Sequence, residues 1–221
     1  MEARLVDLGL TPYQEAWALQ RELAAAVQAG DQPDTVIFLE HPPVVTLGRR
    51  TDEGELHVPE GAEVEIVETD RGGKSTFHGP GQLVCYPIFD LNRHGRDVRR
   101  YCRNLEEAII RTVAAFGIDA QRIDGLTGVW LRPPPRKIAS IGVHISRWVT
   151  THGYALNVDL DPAPFTQWIT ACGLEDAAFT TMARELGRPL TVDDVRPAAE
   201  QAVAAVFGLE LAREPASIAT G

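Results

Sequence analysis

The stretch that most constrains this chain is Arg71–Tyr86, RGGKSTFHGPGQLVCY. It holds four glycines, a proline, a histidine, two cations and two aliphatic hydroxyls within sixteen residues. Strand-like runs flank it, Glu65–Thr69 before and Leu83–Phe89 after. Glycine permits close backbone approach and positive φ, so a glycine-rich loop held between strands suits a wall that a ligand lies against. The plain alternative is a turn joining two strands, since Gly and Pro are ordinary turn residues. Arg71, Lys74 and His78 favour the wall, because groups capable of chemistry cluster where the backbone is most permissive.

A chain of 221 residues, 44% hydrophobic and 24% charged, fits one globular domain with a sizeable core. No apolar run is long enough to span a membrane. The opening MEARLVDLGL lacks a charged leader followed by an apolar stretch, so no secretory signal is expected. Cys85, Cys102 and Cys172 are odd in number and lack CxxC spacing. They fit a reducing cytoplasm, and they speak against a disulfide framework or a cysteine-rich zinc site. No metal or cofactor is expected. A net charge of −10 makes nucleic acid an unsuitable partner.

Arg4–Leu8 reads as a first strand. Thr11-Pro12-Tyr13-Gln14 reads as a helix start, with Thr11 as cap and Pro12 in the first turn. That helix is expected to run to about Gln28 and stop at Gly30, burying Trp17, Leu23 and Ala24. Strands are expected at Thr35–Leu39 and Val44–Leu47, with His41 as a structural turn histidine between them. Arg49–Ala62 reads as a surface loop. Asp97 opens a helix closed by Gly117, whose apolar stripe is Val98, Tyr101, Cys102, Leu105, Ala108, Ile109, Val113 and Phe116. Cys102 on that stripe and Cys85 within a strand read as core residues. Gly128–Leu131 and Lys137–Trp148 read as strands joined by a turn at Pro133-Pro134-Pro135, and Thr151–Asn157 as the return strand. Short helices are expected from Asp161 to before Cys172 and over Thr180–Leu186. A last helix, capped by Thr191, is expected to run to Phe207 with Pro197 in its early turns. Residues 1–208 form one expected domain and 209–221 a tail. Strands interleaved with few, unevenly placed helices predict an α+β or mixed α/β fold, a mixed sheet flanked by helices.

The motif Arg71-Gly72-Gly73-x-x-Thr76-Phe77-His78-x-x-Gly81-Gln82-x-Val84-x-Tyr86 resembles the signature of the lipoyl(octanoyl) transferases. Leu39–Pro43, Lys137–Gly142, His152–Asn157 and Ala171-Cys172-Gly173 follow in the family's order and approximate spacing, so the resemblance covers roughly residues 4–208. It implies the biotin/lipoate protein ligase fold. It also implies transfer of an octanoyl group from acyl carrier protein to a lysine of a lipoyl domain through a cysteine thioester. The acceptors so implied are lipoyl domains of 2-oxoacid dehydrogenase and glycine cleavage proteins. The resemblance assigns the nucleophile to Cys172 and the acid–base role to Lys137. It assigns substrate contacts to Arg71, Gly72, Gly73, Lys74, Ser75, Thr76, Phe77 and His78, to Ser140, Ile141 and Gly142, and to His152, Gly153, Tyr154 and Ala155. Two positions depart from the family's habit: Ala171 stands where proline usually precedes the cysteine, and Ser140 where alanine is frequent.

The residues suit that chemistry. Thiolate is a strong nucleophile, and exchange of one thioester for another is nearly balanced in energy. A free cysteine has a pKa near ~8.5, so it needs a neighbouring cation or base. Lys137 supplies either form; His78 and His152 are the rival bases. Phe77, Ile141, Tyr154 and Ala155 are expected to line an apolar slot for the acyl chain, worth ~0.8 kcal/mol per buried CH₂ before entropy costs. An ATP-dependent lipoate or biotin ligase is the alternative enzyme of the same fold. Its usual His-Asp pair after the glycine loop is absent, since Gly79 follows His78. A non-catalytic lipoyl-domain binding module is the third reading. Finally, Asn92–Arg103, NRHGRDVRRYCR, carries Arg93, Arg96, Arg99, Arg100 and Arg103 against Asp97 alone. On so acidic a chain this patch reads either as a solvated helix face or as a docking surface for acyl carrier protein, the lipoyl domain or both.

Overall fold

The structure, a computed structural model, describes residues 1–169 and 178–214. Cys172 with its neighbours Ala171 and Gly173, and the last seven residues of the expected tail, lie outside the described residues.

The main sheet begins with β1 (Glu2–Leu10), which leads through α1 (Tyr13–Ala29) to β2 (Thr35–Glu40). After β3 (Val44–Leu47), β4 (Glu65–Glu68) and β5 (Thr76–His78) comes β6 (Gln82–Ile88). Helix α2 (Val98–Ala114) precedes β7 (Gln121–Ile123), β8 (Leu126–Leu131), β9 (Arg136–Ser146) and β10 (Val149–Asn157). The chain closes with α3 (Pro164–Gln167), β11 (Ala178–Phe179), α4 (Met182–Leu186), α5 (Val192–Phe207) and β12 (Glu210–Glu214). Among the described residues the main sheet runs β12-β1-β2-β6-β10-β9-β8-β7, with β11 added beside β9. A second, small sheet has the order β4-β3-β5. Parallel and antiparallel pairs mix in the main sheet, as the α+β reading requires.

Strand alternation decides the layers. On β2, Val36 and Phe38 join Leu105, Ile109, Val195 and Val203 of α2 and α5 in one core. Ile37 and Leu39 turn the other way and pack with Ala16, Leu23 and Val27 of α1. Both faces of β2 and β6 are therefore covered, which is why they read as continuous apolar runs. Burying side chains such as Phe38 or Leu105 completely is worth roughly 1.5–3 kcal/mol each. No helix among the described residues is long and apolar enough to cross a membrane.

Several local expectations are corrected. Helix α1 has Pro12 at its N-cap, and the Thr11 hydroxyl donates back to the Leu8 carbonyl instead of capping it. Its buried positions are Tyr13, Ala16, Gln20, Leu23 and Val27, while Trp17 and Ala24 are only half-buried. Gly30 does end it, in a left-handed conformation at φ 82°. Asp97 caps α2 and Thr191 caps α5 as expected, the latter in a reciprocal box with Asp194. Val98, placed by periodicity on the apolar stripe of α2, is 40% exposed, and the buried positions of the helix begin at Tyr101. Strand β5 lies inside the glycine-rich stretch and pairs with β3. Glu210–Glu214, expected as the start of a tail, adds a parallel edge strand to β1.

Candidate active site

The glycine-rich stretch encloses a cavity of about 310 Å³ with the near ends of β8, β9 and β10. Arg71 builds the loop. Its buried guanidinium donates to the Thr46 carbonyl (2.7 Å) and hydroxyl (2.8 Å), and to the carbonyls of Gly72 (3.1 Å) and Lys74 (2.8 Å). One planar fork thus ties the loop to β3 and folds it over itself. Lys74 reaches the other way. Its ammonium pairs with Glu55 and with Asp52 (3.1 Å), and the Glu55 bond holds it in its charged form.

Alternation along β5 then sorts the loop's side chains. Thr76 and His78 line the cavity, as do Arg71, Gly73, Lys74 and Ser75. Phe77 points to the opposite side, edge-on to Phe165 and Trp168, and is not part of the acyl slot assigned to it. Gly72 is likewise not on the wall; its N–H donates to the Val143 carbonyl at 2.9 Å and ties the loop to β9.

One wall is a network of histidines and tyrosines. His41 is fully buried between the Thr11 carbonyl (2.7 Å) and the Tyr86 hydroxyl (2.8 Å). A carbonyl only accepts, so Nδ1 carries the proton and Tyr86 donates to Nε2. Burial pushes the His41 pKa down to about 4, which keeps the ring neutral. His41 is structural, as expected, and the Tyr86 it orients lines the cavity. His78 is held through Nδ1 by Gln82 Oε1 (2.7 Å). Gln82 spends its amide hydrogens on the Phe77 carbonyl and Asn157, so its oxygen faces the ring and His78 Nδ1 donates. This leaves Nε2 as the acceptor nitrogen of His78. Burial, then the neighbouring His41, hold the His78 pKa well below the usual histidine range.

His152 sits at the left-handed φ of 57°, a costly conformation for a residue with a β-carbon. Its backbone N–H donates to Gln20 Oε1 (2.6 Å), Nε2 donates to Asp70 (2.7 Å), and Nδ1 takes the Tyr13 hydroxyl (3.2 Å). Burial lowers the His152 pKa, so the contact with Asp70 is a hydrogen bond from a neutral ring, and that bond keeps Asp70 ionised. The Tyr13 ring stacks on both His78 and His152. Next to this wall, Gly153 allows β10 to lie against β6: a β-carbon there would meet the Cys85 carbonyl at 2.2 Å.

The opposite wall carries Lys137, 4% exposed, with its Nζ 5.3 Å from the centroid of the Trp130 ring. Gly128 makes the room. It stands at φ 117°, and a β-carbon would meet Lys137 Cε at 2.7 Å and the Ala139 carbonyl at 2.6 Å. Ser140, Ile141, Gly142, Tyr154 and Ala155 continue this lining between the walls. Ser75 and Trp130 line the same cavity, and the buried Ser75 hydroxyl and Trp130 Nε1 have no hydrogen-bond partner among the described residues.

Of the assigned contacts, the structure thus brings together all but Gly72 and Phe77, with Lys137 among them. Tyr13, Arg50, Tyr86, Gly125, Leu126, Thr127 and Trp130 also line the walls, and the sequence assigned none of them to the site. Apolar periodicity accounts for Tyr13 and Trp130 without any site, so no local pattern marked them. Cys172 lies outside the described residues. The other two thiols are poor nucleophiles: burial raises the pKa of Cys85 and of Cys102.

Residues 12–204 match the lipoyl protein ligase A/B catalytic domain family. An octanoyltransferase of Geobacter sulfurreducens is 50% identical over 204 residues, covering 92% of this chain and 83% of the relative. One of Mycobacterium tuberculosis is 53% identical over 202 residues, covering 91% and 85%. Among solved structures, a bipartite lipoate protein ligase of Thermoplasma acidophilum superposes with a TM-score of 0.79 at 17% identity, over 99% of this chain and 89% of that one. A biotin protein ligase of Aquifex aeolicus reaches 0.54 at 11% identity, over 94% and 70%. At such identities these two structures speak to the fold alone, and they agree with the mixed sheet described above.

Proposed function

The chain belongs to the lipoyl protein ligase A/B catalytic-domain family and, within it, to the octanoyltransferases, and from that premise we propose how it transfers the acyl group. The enzyme moves an octanoyl group in lipoate biosynthesis, from an acyl donor to a lipoyl domain. The donor is octanoyl-acyl carrier protein, and the acceptors are lipoyl domains of 2-oxoacid dehydrogenase and glycine cleavage proteins. The reaction belongs in the cytoplasm, where thiols stay reduced.

Cys172 attacks the thioester carbonyl of the donor. A carbon–sulfur bond forms to Cys172, the bond to the donor sulfur breaks, and the donor leaves as a thiol carrying the proton that Cys172 gave up. The acceptor lysine, as a free amine, then attacks the octanoyl-Cys172 carbonyl; an amide forms and the Cys172 thiol is restored. Lys137 takes and returns the proton in each half. The observation that carries this reading is the burial of Lys137 on the cavity wall beside β11. Phe179 pairs with Lys137 and Ala178 with Arg136, so the chain that has just passed Cys172 returns to the lysine's own strand.

The histidine wall positions rather than attacks. His78 Nε2 is an acceptor for a donor group of the substrate, and the Ser75 hydroxyl, without a hydrogen-bond partner among the described residues, suits the thioester oxygen. Ile141, Tyr154 and Ala155 take the acyl chain, and a pocket closed by such groups separates neighbouring chain lengths only by modest factors, roughly 10–200-fold per methylene. The test is transfer from octanoyl-acyl carrier protein to a lipoyl domain, followed by mass of the acceptor, with and without ATP. Octanoylation independent of ATP is expected. Acylation from free octanoate that consumes ATP would make the chain a ligase instead.

A further inference from the structure

A second concavity, about 400 Å³, opens between the start of α2 and the turn joining β9 to β10, lined by Arg49, Val98, Val143, Ile145 and Trp148. It adjoins the first. Arg49 lines the groove while Arg50 lines the cavity, and Val143 lines the groove while Gly142 lines the cavity. Three of the four described non-glycine residues with positive φ gather here: Arg96 (54°), Arg147 (48°) and Trp148 (69°). The fourth is His152 in the cavity. Such backbone is costly for these side chains and persists where the surrounding structure holds it. Here the Leu91 N–H donates to the Trp148 carbonyl and the Arg96 N–H to the Leu91 carbonyl, each at 2.7 Å. The Arg96 guanidinium lies 4.6 Å over the Trp148 ring.

The rim is cationic. Arg93 is spent on Asp34 and Asp90, and Arg103 on Glu106. Arg49, Arg96, Arg99, Arg100 and Arg147 are exposed and form no ion pair with a described carboxylate. The nearest acid on the helix start, Asp97, accepts from the Arg100 backbone N–H. An apolar floor with an arginine rim, on a chain of net charge −10, is complementary to an acidic protein with one apolar side chain to insert.

We propose that this groove docks the acyl donor, an acidic carrier protein that presents its thioester on a phosphate-bearing tether; the proposal rests on the transfer reaction above. Arg49 lines the groove and Arg50 the cavity, so a phosphate on a tether that runs from one to the other meets both cations, a complement that the donor has and an acceptor lysine lacks.

Two variants test it. Arg99→Glu/Arg100→Glu places acids in the first turn of α2, where the helix dipole favours them, so the fold is kept. Trp148→Ala removes the floor. Each is expected to raise the KM for octanoyl-acyl carrier protein about 10-fold, the double arginine variant with a flattened salt dependence. The kcat, the KM of the lipoyl-domain acceptor and turnover of octanoyl-pantetheine, a small donor, are expected to stay unchanged. Equal losses with both donors, or a rise confined to the acceptor KM, would overturn the proposal. Calorimetric binding of octanoyl-acyl carrier protein to Cys172→Ala, with and without the arginine changes, needs no turnover. About 10-fold weaker binding on charge reversal is expected even if the wild type transfers nothing, which would refute the function but not the surface. Equal affinity in the two proteins would refute the surface.

Discussion

On one side of the cavity His41, His78 and His152 hold a ring nitrogen each against Thr11, Gln82 and Asp70, and Tyr86 and Tyr13 complete two of the rings. On the other side Lys137 lies over Trp130 in a space that Gly128 keeps open, and Trp130 Nε1 has no hydrogen-bond partner among the described residues. Three histidines look from composition like the richer chemistry. Their bonds say otherwise: neutral rings, each held by the protein through at least one nitrogen, make a frame with fixed tautomers. The lysine wall spends its backbone freedom, at Gly128, on admitting one ionisable side chain. On the mechanism proposed above, the proton carrier falls on the wall where Gly128 clears space for it, and positioning on the wall where the ring tautomers are fixed.

Three experiments press on that contrast. Lys137→Ala is expected to cost most, a fall of ~10²–10⁴-fold in transfer rate, as for removal of an acid–base group. It is also expected to move alkylation of Cys172 by iodoacetamide to higher pH, because the ammonium no longer favours the thiolate. His78→Ala is expected to leave that labelling profile in place. The reverse pattern would exchange the roles of the two walls.

Gly128→Ala is the intermediate case. The new methyl meets Lys137 Cε at 2.7 Å and takes up an unfavourable φ. A displacement of this kind is expected to lower kcat on the order of 10–100-fold, with KM for the donor little changed. Unchanged kcat in a folded protein would show that the lysine's placement is not critical.

The smallest effect is on stability. His41, His78 and His152 all have folded pKa values below the ordinary 6.5, chiefly through burial. Between the two values the unfolded chain binds protons that the native protein refuses, so stability falls with falling pH. The contribution is intact above pH 6.5. For His41 it is lost progressively as pH falls from 6.5 toward about 4. Thermal unfolding followed across that range is expected to show Tm declining, and the decline is expected to be shallower in His41→Asn. A flat Tm from neutrality to pH 4 would mean that these rings are not held neutral.

The sequence made the loop and the lysine legible because polar groups stood where glycine or apolar neighbours made them conspicuous. What it hid follows from length and periodicity. Strand β5 has three residues and β11 two, too short for alternation to register. Missing β5 misplaced Phe77: once Thr76 and His78 face the cavity, period two sends the ring between them to the other side. Strand β12, ELARE, is an exposed edge with no alternating apolar face. Val98 fitted the stripe of α2 by spacing, yet spacing cannot say where the core ends. Arg71, a substrate contact by resemblance, also clamps the loop through its bonds to Thr46, Gly72 and Lys74. Tyr13 and Trp130 could be found only from the pocket, since their neighbours in sequence explain them as core.

The proposed mechanism passes through a thioester on Cys172, which intact mass reads out. Incubation with octanoyl-acyl carrier protein in the absence of acceptor is expected to add one octanoyl group to the wild type, to Cys85→Ser and to Cys102→Ser. The adduct is expected to be discharged by hydroxylamine or by a lipoyl domain, and Cys172→Ala is expected to remain unmodified. A hydroxylamine-sensitive octanoyl adduct that survives in Cys172→Ala would contradict the account.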